Sequence, residues 1–275
     1  MKKIEISEIQ PLEKDILFHL LDFFEENNIK FFTSGGTTLG SVRHGGFIPW
    51  DDDIDLYLPR KEYDRFLELS NGKLLGGYIE IKKPGDKNYI YPFAKACNKN
   101  TVVYEKSVTD RKDAIGIFVD IFPLDTYYEN PIKRFFQLAW SVNVRSMLEA
   151  ASSQINLSKK GSAKWIAKQA VRTLQKPLAK ALGVEKLAKA IDNHGRKTQN
   201  DKDKLVGNVV WFTKFTDFYP SRYFSDSCPG KFEGRSIKNP ICCDEYLTRM
   251  YGDYMKLPPE DQRVMHGFEA YYLNK

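Results

Sequence analysis

The sequence predicts a mixed α/β fold, an α+β sheet core carrying a helical insertion, and three observations predict it. Short apolar runs alternate with helical segments up to about Asp125, helical periodicity then holds from Asn130 to about Ile191, and short strand-like runs resume afterwards. At 275 residues and 42% hydrophobic, the chain has enough apolar material for a sizeable core. The expectation is one catalytic domain over 1–275, with a predominantly helical, basic insertion at about 130–210.

A first helix is expected over Pro11 to Glu26, with Leu12, Ile16, Leu20, Leu21 and Phe24 as its apolar stripe and Asn27-Asn28 ending it. IKFFTS reads as a strand, Gly35-Gly36 as a tight turn, and TTLGSVRHG as a short helix. WDDDIDLYL follows as a strand, and Arg60 to Leu69 as a helix that packs Tyr63, Phe66 and Leu67. Between Gly72 and Phe122 the runs YIEIKKPGD, YPFAKACN, TVVYEK and IGIFVDIFPLD read as strands and turns. Asn130 is placed to cap the next helix, with Pro131 in its first turn. Late in the chain, CCDEYLTRMYG is a helix ending at Gly252.

The formal charge of +6 is concentrated in one segment. Lys159 to Lys197 holds eleven Lys or Arg against Glu185 and Asp192, a local excess of nine, so the rest of the chain is net negative by three. Trp165, Ile166, Ala170, Val171 and Leu174 alternate there with basic residues at helical spacing. A solvated basic face and a surface helix resting on anionic lipid or a polyanionic substrate both fit that pattern. Specific nucleic-acid recognition is not expected, because a basic run alone reads no bases and no recognised motif accompanies it. Cys97, Cys228, Cys242 and Cys243 show no zinc-finger spacing and read as reduced thiols. The start, MKKIEISEIQPLEKD, lacks the apolar stretch of a signal peptide, and no run of eighteen apolar residues occurs, so a cytoplasmic protein is expected, with peripheral contact at the inner face of the membrane as the second possibility.

The chemistry centres on GGFIPWDDDIDLYL, where Asp51, Asp52, Asp53 and Asp55 stand beside Ile54, Leu56 and Leu58. Residues two apart on a strand share a face, so Asp51, Asp53 and Asp55 project together if the strand extends that far. Clustered carboxylates repel one another and call for a positive charge between them. Mg²⁺ or Mn²⁺ suits them, since Mg²⁺ takes one or two carboxylates and leaves its remaining positions to water and substrate phosphates. The plainer readings are an exposed acidic strand end or a calcium loop; the segment lacks the glycine and the distal Glu of an EF-hand. Upstream, Gly35-Gly36 between a strand and a helix starting at Thr37-Thr38 allows close backbone approach and offers unpaired N–H groups to phosphate. Asp120 lies among Ile117, Phe118, Val119 and Ile121, a second carboxylate in apolar company, suited to a metal or to general base work. Asp125, after Pro123, is expected in a turn. Arg43 offers a bidentate fork to phosphate or an ion pair to the aspartates, and His44 a substrate contact, a proton transfer or a structural hydrogen bond.

SGGTTLGSVRHGGFIPWDDDIDLYL, FVDIFPLD and YGDYMKLPP together resemble the LicD family, phosphocholine transferases related to the fukutin-type enzymes within the nucleotidyltransferase fold superfamily. The resemblance is thin across about 130–210. It implies a nucleotidyltransferase-like catalytic core in which Gly35, Gly36, Thr37 and Arg43 hold the donor's phosphates and Asp53, Asp55 and Asp120 hold divalent metal, with Arg43 and His44 assisting catalysis. Asp51 also falls within the family signature. The implied reaction passes phosphocholine from CDP-choline to a hydroxyl of a glycan or lipid-linked oligosaccharide acceptor of teichoic acid or lipopolysaccharide type, releasing CMP. Fukutin-like relatives use CDP-ribitol, so transfer of ribitol or glycerol phosphate from its CDP donor is an alternative. Nucleotidyl transfer from a nucleoside triphosphate, and a non-enzymatic scaffold, are the other classes. A choline headgroup would call for aromatic faces, with Trp50, Tyr57, Tyr89, Tyr91, Trp211 and Phe212 as candidates. Arg263 and His266 are placed to close over the donor, and Tyr251 to Asp253 to end a helix.

Overall fold

The computed structural model describes residues 1–105, 114–152, 161–198, 204–263 and 268–273. Its elements are β1 (Lys2–Ile4), α1 (Ile6–Glu26), β2 (Phe32–Thr33), α2 (Gly35–Arg43), β3 (Asp55–Pro59), α3 (Arg60–Leu69), β4 (Leu74–Leu75), β5 (Ile79–Lys82), β6 (Ala94–Asn98), β7 (Thr101–Glu105) and β8 (Phe118–Tyr127), followed by α4 (Pro131–Ala151), α5 (Ala163–Leu182), α6 (Val184–Lys197), β9 (Leu205–Gly207), β10 (Phe218–Pro220), β11 (Ser227–Phe232), β12 (Arg235–Pro240), α7 (Cys243–Tyr251) and β13 (Phe268–Tyr272). The architecture is the expected mixed α/β one, with a central open sheet flanked by helices.

Eight strands make that sheet, in the order β10-β9-β8-β6-β5-β4, with β3 also on β8 and β2 on β3. Ten-residue β8 is its axis: β3 pairs with it in parallel, β6 antiparallel over its first half, and β9 antiparallel at Asp125 to Tyr127. Because α4, α5 and α6 lie in sequence between the neighbouring strands β8 and β9, the three helices extend from the sheet without interrupting it. A three-stranded sheet β1-β13-β7 and the hairpin β11-β12 complete the fold.

Helix α1 starts five residues before Pro11, because Glu5 and Glu8 form a reciprocal cap in which the Glu5 N–H donates to Glu8 Oε2 (3.0 Å). Ile16, Leu20, Leu21 and Phe24 of its expected stripe are buried in the core. Helix α3 has the expected bounds and buries Tyr63, Phe66 and Leu67. Asn130 caps α4 as expected, its side chain accepting from the Ile132 and Lys133 N–H groups, and Gly252 ends α7 at a φ of +71° that favours glycine.

Two expectations differ near the acidic segment. The glycine pair is the first turn of α2 and not a turn before it, since the Thr38 N–H already donates to Ser34 O (3.2 Å). Strand β3 begins at Asp55, while Trp50 to Ile54 run outside any strand. The cause is a turn closed by the Asp51 N–H on Ile48 O (2.9 Å) and pinned by Gln10 Nε2 of α1, which donates to Asp51 O (2.8 Å).

A third correction concerns Asp125, which is in β8 and fully buried, not in a turn. Asp120 and Asp125 are an odd number of residues apart and so face opposite sides of the sheet. On its side Asp125 receives two hydrogen bonds from Arg60 of α3, Nε to Oδ1 (2.7 Å) and Nη2 to Oδ2 (2.9 Å), while Arg60 Nη1 donates to Asp192 of α6 (2.6 Å). A Cβ at Gly195 would overlap Asp125 Oδ2, so the glycine lets α6 approach this pair.

Candidate active site

Strand register assembles the site. Asp55 of β3 is opposite Asp120 of β8, and Lys95 of β6 is opposite the same Asp120. Side chains in register on adjacent strands share a face, so Asp55, Asp120 and Lys95 form one row across three strands. Lys95 Nζ is 2.7 Å from Asp120 Oδ1. The same ammonium lies over the Phe118 ring at 3.4 Å and the Tyr91 ring at 4.5 Å, aromatic faces that help a cation stay charged away from water. Behind the row, Ile54, Leu56 and Leu58 are buried in the core, as the alternation predicts.

The row forms part of the wall of a cavity of about 820 Å³. Asp52 and Asp53 join it from the segment before β3, and Ser34 and Gly35 from the start of α2. An aromatic wall stands beside the carboxylates, including Tyr57, Tyr91, Phe93, Phe122, Trp211 and Phe212. Lys214 and Arg249 add positive charge, and Tyr251 of α7 closes one side.

Local hydrogen bonds hold the acidic strand against α2. The Ser34 N–H donates to Asp55 O (3.0 Å), and the Asp55 N–H donates to Thr37 Oγ1 (2.8 Å). The Gly35 N–H donates to Tyr246 Oη of α7 (3.0 Å). A Cβ on Gly36 would stand 2.6 Å from Asp51 Oδ2, so the second glycine makes room for a carboxylate at the N-terminal end of the helix, where the dipole favours negative charge.

Burial raises the Asp55 carboxyl well above its ordinary range, the charges of Asp53, Asp120 and Asp51 raise it further, and Lys95 only partly opposes them. Glu13 of α1 is shifted the same way, by burial and then by Asp53, Asp52, Asp51 and Asp120. Its Oε2 has no hydrogen-bond partner among the described residues. The cluster is therefore a concentration of negative charge larger than Lys95 offsets.

Of the residues singled out in the sequence, Asp53, Asp55, Asp120 and Gly35 meet at the cavity. Thr37 supports Asp55 from beneath. Arg43 and His44 lie at the opposite end of α2, where Arg43 Nη1 donates to Tyr254 O (2.6 Å) and its Nε to His44 Nε2 (3.0 Å). His44 is exposed and edge-on to Trp50 at 6.3 Å. Arg263 lies over the same Trp50 ring at 4.9 Å, and His266 lies outside the described residues. Four of the six aromatic candidates, Tyr57, Tyr91, Trp211 and Phe212, line the cavity.

Lys95, Glu13 and Tyr251 are the site-region residues that sequence reasoning missed or gave another place. Lys95 had a usable signal, a lysine between Ala94 and Ala96 in an apolar strand, the pattern that singled out Asp120. Tyr251 was assigned to a helix end and does stand there, but α7 points it at Gly35 and the aspartates. Glu13 had none, for an acid on an amphipathic helix ordinarily faces water.

The donor set is all oxygen, which fits a hard divalent cation, and the Asp55 carboxyl is raised first by burial and then by its acidic neighbours. Among the described residues no three His, Cys, Asp or Glu side chains are gathered into a closed metal cage. The carboxylates line an open wall instead, compatible with a cation that takes part of its coordination from substrate.

Residues 28–156 match the family described as LicD/FKTN/FKRP, nucleotidyltransferase domain. The chain is 32% identical over 285 residues to the lipopolysaccharide cholinephosphotransferase LicD of Haemophilus influenzae, covering 99% of this chain and 100% of that one. It is also 42% identical over 137 residues to the uncharacterized protein RP689 of Rickettsia prowazekii, covering 46% of this chain and 50% of that one.

Proposed function

We propose, from the premise that the chain belongs to the LicD family, that it transfers phosphocholine from CDP-choline to a hydroxyl of a cell-surface glycan precursor. The observation that carries this reading is the cavity itself, lined by a carboxylate row with aromatic faces beside it. A diphosphate and a quaternary ammonium need those two surfaces together: the first a cation held by carboxylates, the second aromatic rings. The cholinephosphotransferase activity in the name of the Haemophilus relative points the same way.

In this reading Asp53, Asp55 and Asp120 hold a divalent cation, which neutralises the donor's diphosphate and steadies the leaving group. Lys95 orients Asp120 through their 2.7 Å pair. Gly35, at the N-terminus of α2, brings backbone without a side chain between Asp55 and Tyr251 at the edge of the donor's cavity. Lys214 and Arg249, which also line the cavity, supply charge to the phosphates. Tyr91, Trp211 and Phe212 receive the trimethylammonium. The acceptor oxygen forms a bond to the choline-bearing phosphorus, the bond from that phosphorus to the bridging oxygen breaks, and CMP leaves; the hydroxyl proton passes to a carboxylate of the cluster. Arg43 and His44 act from the opposite end of α2, organising the segment that leads into the aspartates.

The test is nucleotide release by purified protein with Mg²⁺ or Mn²⁺ and a membrane glycan acceptor, comparing CDP-choline, CDP-ribitol, CDP-glycerol and CTP. Acceptor-dependent CMP release from CDP-choline, abolished by Asp53→Asn, is the expected result. Release from CDP-ribitol or CDP-glycerol alone replaces the transferred group, and pyrophosphate from CTP replaces the reaction.

A further inference from the structure

Helix α5 turns its apolar side away from the protein. Ile166, Val171, Leu174, Leu178 and Leu182 are between 39% and 83% exposed, whereas its buried residues are Arg172 and Ala179. Ile166, Ala170, Leu174, Leu178 and Leu182 follow one another at intervals of four and form a ridge along the helix. Lys164, Lys168, Lys176 and Lys180 form a basic row two residues off the ridge, on the other side of the helix, and α5 contains no acidic residue.

The first turns of α4 carry a second exposed apolar patch. Ile132, Phe135, Phe136 and Trp140 are all exposed beside Lys133 and Arg134. Gln175 of α5 donates to Asn143 of α4 (2.9 Å), and Arg172 pairs with Glu149. The helices are therefore antiparallel, and the exposed start of α4 lies beside the exposed end of α5. At the edge of the surface Phe135 stacks on Phe215 (6.5 Å), and Phe215 meets Phe212 (5.7 Å), which lines the cavity. The α4 patch thus runs up to the cavity's rim.

A helix in a water-soluble protein ordinarily buries its apolar stripe. An outward ridge of Leu and Ile backed by a basic face, with Phe and Trp exposed on the neighbouring helix, is the composition of a helix pair that lies in the interface of an anionic bilayer. No described helix is long and apolar enough to cross a membrane, so contact of this kind is in the membrane plane. We infer that the outer face of α4 and α5 docks on an anionic lipid bilayer and sets the cavity rim at the level of the headgroups. The docking stands on the exposed ridge and its charge; its use, presenting the cavity to a lipid-linked acceptor, rests on the proposed transferase function.

The experiment is flotation of the full chain with vesicles of phosphatidylglycerol and phosphatidylcholine, against vesicles of phosphatidylcholine alone. Wild-type protein is expected to float with the anionic vesicles only, and less as salt is raised. Leu174→Glu/Leu178→Glu, at two exposed positions that leave the core untouched, is expected to lower the bound fraction by about tenfold or more, and Lys168→Ala/Lys176→Ala to weaken binding and its salt dependence. Melting curves of both variants are expected to match wild type. Equal flotation with neutral vesicles, or unchanged binding by the leucine variant, overturns the inference. So does a wild-type dimer in light scattering that the leucine variant converts to monomer, because the ridge then covers a second copy. CMP release with a water-soluble acceptor fragment separates the two claims: the leucine variant should retain it. If wild type itself releases no CMP, the transferase reading fails while flotation still decides the docking.

Discussion

Strand β8 carries two buried aspartates five residues apart, and the surroundings of each show how the same side chain can serve structure or chemistry. Asp125 faces α3 and α6, where Arg60 forks onto it and reaches Asp192, while Arg196 pairs with both Asp192 and Asp64 (2.8 Å to Asp64). Burial alone would depress the Arg60 guanidinium, but Asp125 and Asp192 more than reverse that and hold it charged. Asp120 faces the cavity, where Asp52, Asp53 and Asp55 outnumber Lys95. Buried charge matched in place fastens elements together; buried charge left in excess on a cavity wall is arranged for a cation that arrives from outside.

The largest effect should come from breaking the excess. Asp53→Asn and Asp55→Asn are each expected to reduce CMP release on the order of 10³-fold, the scale of losing charge stabilisation at a phosphoryl transfer, with an unchanged circular dichroism spectrum. On the matched side, Arg60→Ala strands Asp125 and Asp192 and is expected to cost about 3–5 kcal/mol in urea unfolding. Turnover per folded molecule should fall far less than with the aspartate variants. A stable Arg60→Ala protein would mean that the two clusters differ less than their geometry suggests.

Lys95→Met probes the boundary between them, because it removes the positive charge that offsets part of the excess. Turnover is expected to drop about 10²-fold, with lower Mg²⁺ needed for half-maximal rate. Glu13→Gln should have the smallest effect, a stabilisation of about 1 kcal/mol near neutral pH. The sign follows from its raised folded-state carboxyl. The unfolded chain releases this proton at an ordinary carboxylate pH while the folded chain retains it, so Glu13 erodes stability as pH rises from the unfolded value toward the folded one. Urea unfolding at pH 5 and pH 8 should therefore show a shallower decline for Glu13→Gln than for wild type.

Much of this contrast was legible in the sequence where local pattern carries the information. The alternation of Ile54, Leu56 and Leu58 with acids identified a strand with a buried face, and Asp120 stood out as an acid in apolar company. The caps at Asn130 and Gly252 were legible because a cap is a property of a few adjacent residues. What escaped was set by long-range contact. Asp125 looked like a turn residue after Pro123, and only α6 arriving at Gly195 brings it under Arg60. Lys95 joins the site through a register that pairs β6 with β8, and the turn that delays β3 depends on Gln10 of α1. The outward face of α5 also eluded the periodicity, which marks an amphipathic helix without saying which side is covered.

The central claim, that the carboxylate excess serves a cation accompanying the donor, is tested most directly by calorimetric titration of CDP-choline into wild type and Asp53→Asn, each with Mg²⁺ and with chelator. The account predicts saturable binding by wild type with Mg²⁺, at least about tenfold weaker with chelator, and a variant whose weak binding is indifferent to Mg²⁺. Equal affinity in chelator, or Mg²⁺-dependent binding that survives Asp53→Asn, would contradict it.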